Sequence, residues 1–131
     1  MEQKDYSYRR VGYLKNAIAL SLGVKFTGTI YVSSGVVKHI KKRHGDHLNK
    51  RVIENLFDYM KEIIESPDYV GVFKEGKDYV NVEFIKKIDD YILIGIYIEE
   101  NDDYIYVSTM YPISEKKIYN KLYSGKLFKC I

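Results

Sequence analysis

Apolar side chains recur along this chain at two spacings, and the change between them falls at Pro67. Before it the pattern is mostly helical. Residues 11–22 (VGYLKNAIALSL) are a short apolar run ending at Gly23, and their Ala and Leu content favours helix. Residues 26–33 carry Thr27, Thr29, Ile30, Tyr31 and Val32, the β-branched and aromatic content of a short strand. Ser33 or Ser34 then caps a helix that runs to about His44 and is stopped by Gly45. A longer helix is predicted from about residue 47 to Ser66. In it Val52, Ile53, Leu56, Phe57, Met60, Ile63 and Ile64 recur as one buried stripe.

Beyond Pro67 the pattern alternates, which predicts strands over 68–74, 78–88, 91–99 and 103–110. The breaks hold Gly76, the pair Asp89-Asp90, and Asn101-Asp102-Asp103, all turn-prone. Connections this short join antiparallel neighbours, because a parallel crossover needs a dozen or more residues. Val80, Val82 and Phe84 share one face of the second strand, and Ile92, Ile94, Ile96 and Ile98 one face of the third. Ser114 begins a short final helix containing Ile118 and Leu122. The expected fold is therefore α+β: N-terminal helices, then a four-stranded antiparallel sheet, then a short C-terminal helix. With Pro67 and Pro112 as its two prolines and no Ser- or Gly-rich linker, the chain reads as a single domain over residues 1–131.

Composition narrows the class without naming a function. Of 131 residues, 46% are hydrophobic and 30% charged, values of a globular domain rather than a disordered one. No apolar run approaches the roughly 20 residues a membrane span requires. The segment Met1-Glu2-Gln3-Lys4-Asp5 does not resemble a signal peptide, and Cys130, the one cysteine, can form neither an internal disulfide nor a Cys-based metal cluster. Cytoplasmic residence is the expectation, although a protein delivered from another cell or a phage would share these features. Fourteen Tyr, five Phe and no Trp leave open a sheet, a protein interface or a base-stacking surface. The net charge of +3 is unevenly spread: residues 38–51 carry six basic groups against Asp46, whereas residues 52–112 carry five against fourteen acidic ones. A polyanion would be drawn to the first block, and a solvated helix face is the plainer account of it.

That basic block contains the most informative segment, Ser33-Ser34-Gly35-Val36-Val37-Lys38-His39-Ile40-Lys41-Lys42-Arg43-His44. At about 100° per residue Val36, Val37 and Ile40 form the apolar arc. Arg43 falls within it, His39 borders one edge, His44 lies near the other, and Lys38, Lys41 and Lys42 face away. His39 and Arg43 would thus point toward the body of the protein, where an unpaired cation is costly and an anion in a cleft would pair it. Such a pair suits cleavage of RNA without a metal. Imidazole can take or give a proton near neutral pH, and a guanidinium can hold two phosphate oxygens. A structural ion pair or a capping role is the competing explanation. His44-Gly45-Asp46-His47 offers potential metal donors, but Gly45 separates the two imidazoles and no His-Glu-x-x-His pattern is present, so no metal and no cofactor is expected.

Ile30-Tyr31-Val32-Ser33 leading into Lys38-His39-Ile40-Lys41-Lys42-Arg43-His44 resembles the strand and His-Ile-x-x-Arg-His helix of a phage-associated nuclease family. That family is grouped with barnase, EndoU, colicin-type tRNases and RelE as the BECR fold. The resemblance continues through Ser66-Pro67-Asp68-Tyr69-Val70 and closes at Val107-Ser108-Thr109-Met110-Tyr111, covering roughly residues 28–120. It implies a metal-independent endoribonuclease, a toxin or phage-encoded effector, that cleaves RNA (tRNA among the candidates) by attack of the 2′-hydroxyl. It also implies an immunity or antitoxin protein as partner. Carried over, His39 and Arg43 would be catalytic, His44 a second imidazole or an orienting group, and Thr109 a phosphate ligand. Ser108 is its rival, and Tyr111 and Lys117 would extend the site toward the nucleotide. Strict alternation would put Thr109 on one face with Ile105 and Val107, so Thr109 is preferred only if that face meets the His-Arg helix. The alternative is a non-catalytic RNA-binding or protein-interaction domain on the same fold, since fold alone does not assign function.

Overall fold

The chain opens on a strand rather than a helix. The computed structural model describes residues 7–25, 27–74, 79–99 and 104–130. In it β1 (Tyr8–Leu14) pairs antiparallel with β2 (Gly28–Ser33), and α1 (Asn16–Leu22) joins them. The expected helix over 11–22 is thus strand over its first four residues and helix over its last seven. Arg10 lies opposite Tyr31 and Gly12 opposite Ile30, so Val11 is an extra, bulged residue. The bulge buries Val11 and Gly12 in succession and destroys the period of two by which a strand is recognised. The Ala- and Leu-rich remainder became α1.

From β2 the chain turns directly into α2 (Ser34–His44), whose Val36 amide donates to the Ser33 hydroxyl at 3.1 Å. The single long helix expected over 47–66 is two, α3 (Lys50–Glu54) and α4 (Leu56–Glu65). Asn55 divides them: its side-chain amide and its backbone N–H both donate to the Arg51 carbonyl, at 3.0 and 3.1 Å, while its φ of −124° leaves the helical region. An Asn side chain that bonds the backbone locally competes with helix propagation. The buried stripe survives the break, with Val52, Leu56, Met60, Ile63 and Ile64 all buried.

The strands β3 (Tyr69–Lys74), β4 (Tyr79–Ile88), β5 (Asp90–Glu99) and β6 (Tyr104–Pro112) form an antiparallel meander, and α5 (Glu115–Tyr123) and β7 (Leu127–Lys129) follow. Asp89, at φ 63°, makes the tight β4–β5 turn in the left-handed conformation that a short polar side chain tolerates. The turns expected at Gly76 and Asn101-Asp102-Asp103, and the segment Met1–Asp5, lie outside the described residues. The meander is not the whole sheet. Seven strands are ordered β1-β2-β6-β5-β4-β3-β7, and β2 runs parallel to β6. This overturns the expected four-stranded antiparallel sheet preceded by helices. The parallel pair joins strands that are distant in the chain, and β7 spans only three residues, so neither leaves a local signal.

Each face of the sheet has its own cover. On the first, α4 packs Met60, Ile63 and Ile64 into a core with Ile92, Ile94, Ile96, Val82, Phe84 and Val107. On the second, α5 brings Ile118 onto Ile85, Leu93, Ile113 and Leu127. Among the described residues no helix is long and apolar enough to cross a membrane.

Candidate functional site

The site is set where β2 leaves the sheet. β2 ends at Ser33, two residues past the Tyr31–Tyr106 pairing, while β6 continues to Pro112. Helix α2 then runs beside the second half of β6, in the place a neighbouring strand would occupy. It buries Ile40 completely and half-buries Val36, Val37 and His44. Val37 and Lys41 line a cavity with Arg9 and with Phe57 of α4, which puts that flank of the helix on the first face. At about 100° per residue His39 and Arg43 fall on the opposite flank, alongside the second face. His39 lies about 7.5 Å along α2 before His44.

One sequence expectation is corrected here. Arg43 does not belong to the buried arc, which consists of Val36, Val37, Ile40 and His44. The helix meets the sheet at its edge, so its contact strip is narrow, and a guanidinium keeps its hydration by lying outside it. His39 and Arg43 are both exposed, and neither makes a hydrogen bond or ion pair among the described residues. The case for an anion therefore rests on two accessible cationic or proton-transferring groups one turn apart, not on a buried charge in need of a partner.

A second correction concerns Thr109. Gly95 pairs with Thr109 and the next residue, Ile96, with Val107, so Ser108 is an extra residue in β6. The bulge inverts the phase of everything after it. Ile105 and Val107 pack into the first-face core, and so does Met110, one step out of phase. Thr109 and Tyr111 therefore stand on the second face rather than with Ile105 and Val107, and Tyr111 is the residue there that meets α2, through His44. Ser108 donates its hydroxyl to the Gly95 carbonyl at 3.1 Å, whereas the Thr109 hydroxyl has no partner among the described residues. Gly95 admits this packing because a Cβ there would lie 3.1 Å from the Thr109 methyl and 3.3 Å from the Ser108 hydroxyl.

Further along β6, the Tyr111 ring meets the His44 imidazole with centroids 5.7 Å apart and planes tilted by 37°. Burial lowers the pKa of His44, and the positive charges of Arg43, His47 and His39 lower it further. His44 is accordingly neutral at pH 7. Burial raises the pKa of the Tyr111 phenol, assisted by the Glu83 carboxylate and opposed by Lys121. Lys117 is exposed on α5, one turn before Lys121, and shares its flank of the helix.

Glu83 and Lys121 were not singled out from the sequence. Glu83 is the buried charged residue of the described chain, and the Lys121 ammonium lies 2.8 Å from its carboxylate. Glu83 pairs with Gly95, and Gly95 with Thr109, so the three form one row across the second face. An isolated glycine within the isoleucine-rich β5 was the available signal, because glycine inside a strand often marks a bulge or a close approach. Among the described residues no three His, Cys, Asp or Glu side chains gather as metal donors.

Neither a curated protein nor a solved structure matches this chain. A family model does, over residues 9–120, a span that holds β1 through most of α5 and every side chain of the site except Lys121. The chain belongs to the family described as phage-Barnase-EndoU-ColicinE5/D-RelE like nuclease 3, and its role is that of a nuclease.

Proposed function

We propose that this nuclease is a metal-independent endoribonuclease. The observation that carries the reading is an exposed imidazole and an exposed guanidinium, His39 and Arg43, one turn apart on one flank of α2, the helix that packs along β6. A phosphate lying across that flank would receive two N–H donors from Arg43 and one O–H donor from Thr109. His39 takes the proton of the 2′-hydroxyl as its oxygen attacks phosphorus, the O2′–P bond forms, and the P–O5′ bond breaks. The leaving 5′-oxygen must gain a proton, which the His39 imidazole, protonated in the first transfer, returns to it. The products are a 2′,3′-cyclic phosphate and a free 5′-hydroxyl. His44, neutral at pH 7 and braced by Tyr111, keeps its ring oriented beside the reacting groups. Lys117 and Tyr111 would hold the neighbouring nucleotide.

Free cleavage of cytoplasmic RNA harms the cell in which it occurs. A toxin or phage-encoded effector with an immunity or antitoxin partner fits that chemistry. Mapping the ends produced on total RNA tests the proposal. Cyclic 3′ ends with 5′-hydroxyls, unaffected by a chelator and abolished in a folded His39→Ala variant, are the expected result. Ends bearing a 5′-phosphate, or full activity in that variant, refute it, and RNA that is retained but uncut makes the domain a binding module instead.

A further inference from the structure

Pairing register lines up tyrosines from three strands on the second face. Arg10 of β1 pairs with Tyr31 of β2, Tyr31 with Tyr106 of β6, and Tyr106 with Tyr97 of β5. Residues paired in this way stand on the same side of a sheet. Here that side is opposite Ile30, Val32, Ile96, Ile98, Ile105 and Val107, all buried in the first-face core. Three tyrosines remote in sequence thus span about 10 Å across two inter-strand steps. The apolar cluster beneath α5 ends at Tyr111, Leu93 and Ile85, and none of the three tyrosines belongs to it. Tyr31 is 38% exposed, and Tyr8, at the same end of the face, is 50% exposed. Tyr97 and Tyr106 are already in ring contact, with centroids 5.2 Å apart and planes tilted by 36°.

We infer that this tyrosine row is a seat for the unpaired bases of a single-stranded nucleic acid whose backbone crosses the His39–Arg43 flank; the inference rests on the function proposed above and names its substrate class. Phenol rings on an open sheet face stack bases of any sequence, and a base must be unpaired to lie flat on them. The spacing suits the task. Tyr97 is two residues from Gly95 along β5, about 7 Å, and Gly95 is paired with Thr109, so the row begins beside the proposed scissile position. Charge determines how the strand runs. Glu99 lies within electrostatic reach of the Tyr106 phenol and would repel phosphates there. The exposed Arg10 guanidinium and the basic α2 attract them on the other side. An acidic protein would also be drawn to this border, and it is the occupant that the double variant below would reveal.

Fluorescence anisotropy with a labelled deoxyuridine dodecamer isolates this contact, because a strand without 2′-hydroxyls cannot be cut by the proposed chemistry. The intact chain is expected to prefer the single strand to the same dodecamer annealed to its complement. Tyr31→Ala and Tyr106→Leu should each weaken single-strand binding about 5- to 150-fold. Tyr106→Phe, which keeps the ring, should stay within about twofold. Tyr31 is at the surface, so its variant reports even if Tyr106→Leu fails to fold. Equal affinity for single strand and duplex overturns the inference, as does wild-type affinity in a folded double variant, which would leave the face to a protein. A chain that binds in the expected way yet cuts no RNA refutes the proposed chemistry and leaves the seat standing. A double variant that cuts and binds RNA like wild type does the reverse.

Discussion

Removing the cation beside Glu83 tests how much of this fold depends on the open face of the sheet. In Lys121→Met the carboxylate keeps its place in β4, with its side chain 11% exposed, and loses an ammonium 2.8 Å away. At that distance the attraction is about 6 kcal/mol for an effective dielectric constant of about 20, much of it offset by the desolvation of both groups. Breaking a fully buried pair costs about 3–5 kcal/mol. The Lys121 side chain is 27% exposed, so water can reach the carboxylate from its side, and the expected cost falls to about 2–3 kcal/mol. For a chain of this size that is roughly a 10 °C fall in melting temperature. Adding Glu83→Gln should recover about 1–2 kcal/mol, because an amide at this position carries no charge to strand. Thermal and urea melts at pH 7 followed by circular dichroism, run as a double-mutant cycle, supply the numbers. A Lys121→Met chain within about 0.5 kcal/mol of wild type, or a coupling of zero, would show that Glu83 is solvated and that the pair does not brace the sheet.

Three further outcomes are expected. Arg43→Lys and Arg43→Ala should both slow RNA cleavage, lysine rescuing only part because it lacks the planar fork, while unfolding free energy stays within about 0.5 kcal/mol of wild type; a destabilised Arg43→Ala chain would give Arg43 a structural role instead. Since His44 has a lowered pKa, the unfolded chain binds the extra proton first as pH falls below about 6.5, so stability should be full above that pH and decline below it toward the folded-state midpoint. An NMR titration should place that midpoint below the usual histidine value, and a midpoint above it would contradict the burial of this ring. Deleting Ser108 removes the extra residue and leaves Val107, Thr109 and Met110 on their present faces, so it should cost only about 1 kcal/mol, as Ser108→Ala should for its lost hydrogen bond. A deletion that costs more than about 3 kcal/mol in urea melts would rule out Ser108 as the extra residue of β6.

Electrostatics divides the second face into zones. The Glu83–Lys121 pair neutralises the centre of the Gly95–Thr109 row, leaving Arg43 and Arg10 as exposed guanidiniums at its border. An anion approaching the row would meet the exposed cations of α2 before it met the buried carboxylate. The neutral His44 beside Tyr111 adds no further positive charge at pH 7, so Arg43 is the fixed cation nearest it.

Local periodicity in the sequence was enough to find α2, with a cap at Ser33 or Ser34 and its stop at Gly45, the buried stripe of the helices before Pro67, and the meander from Tyr69 to Pro112. It was enough because each of these elements buries one face, and the spacing of apolar residues records which. His39, Arg43 and His44 could be picked out for the same reason, as polar groups interrupting a helical arc. What periodicity could not carry is phase across a bulge or partnership across the chain. Val11 and Ser108 each add one residue, so β1 did not read as a strand and Thr109 was assigned to the wrong face. The parallel pairing of β2 with β6 joins segments more than seventy residues apart, and it alone sets α2 against the Thr109 end of β6. Whether Arg43 lay in the core or in water depended on how the helix met the sheet. That orientation follows from the packing of the whole chain and leaves no trace in any single segment.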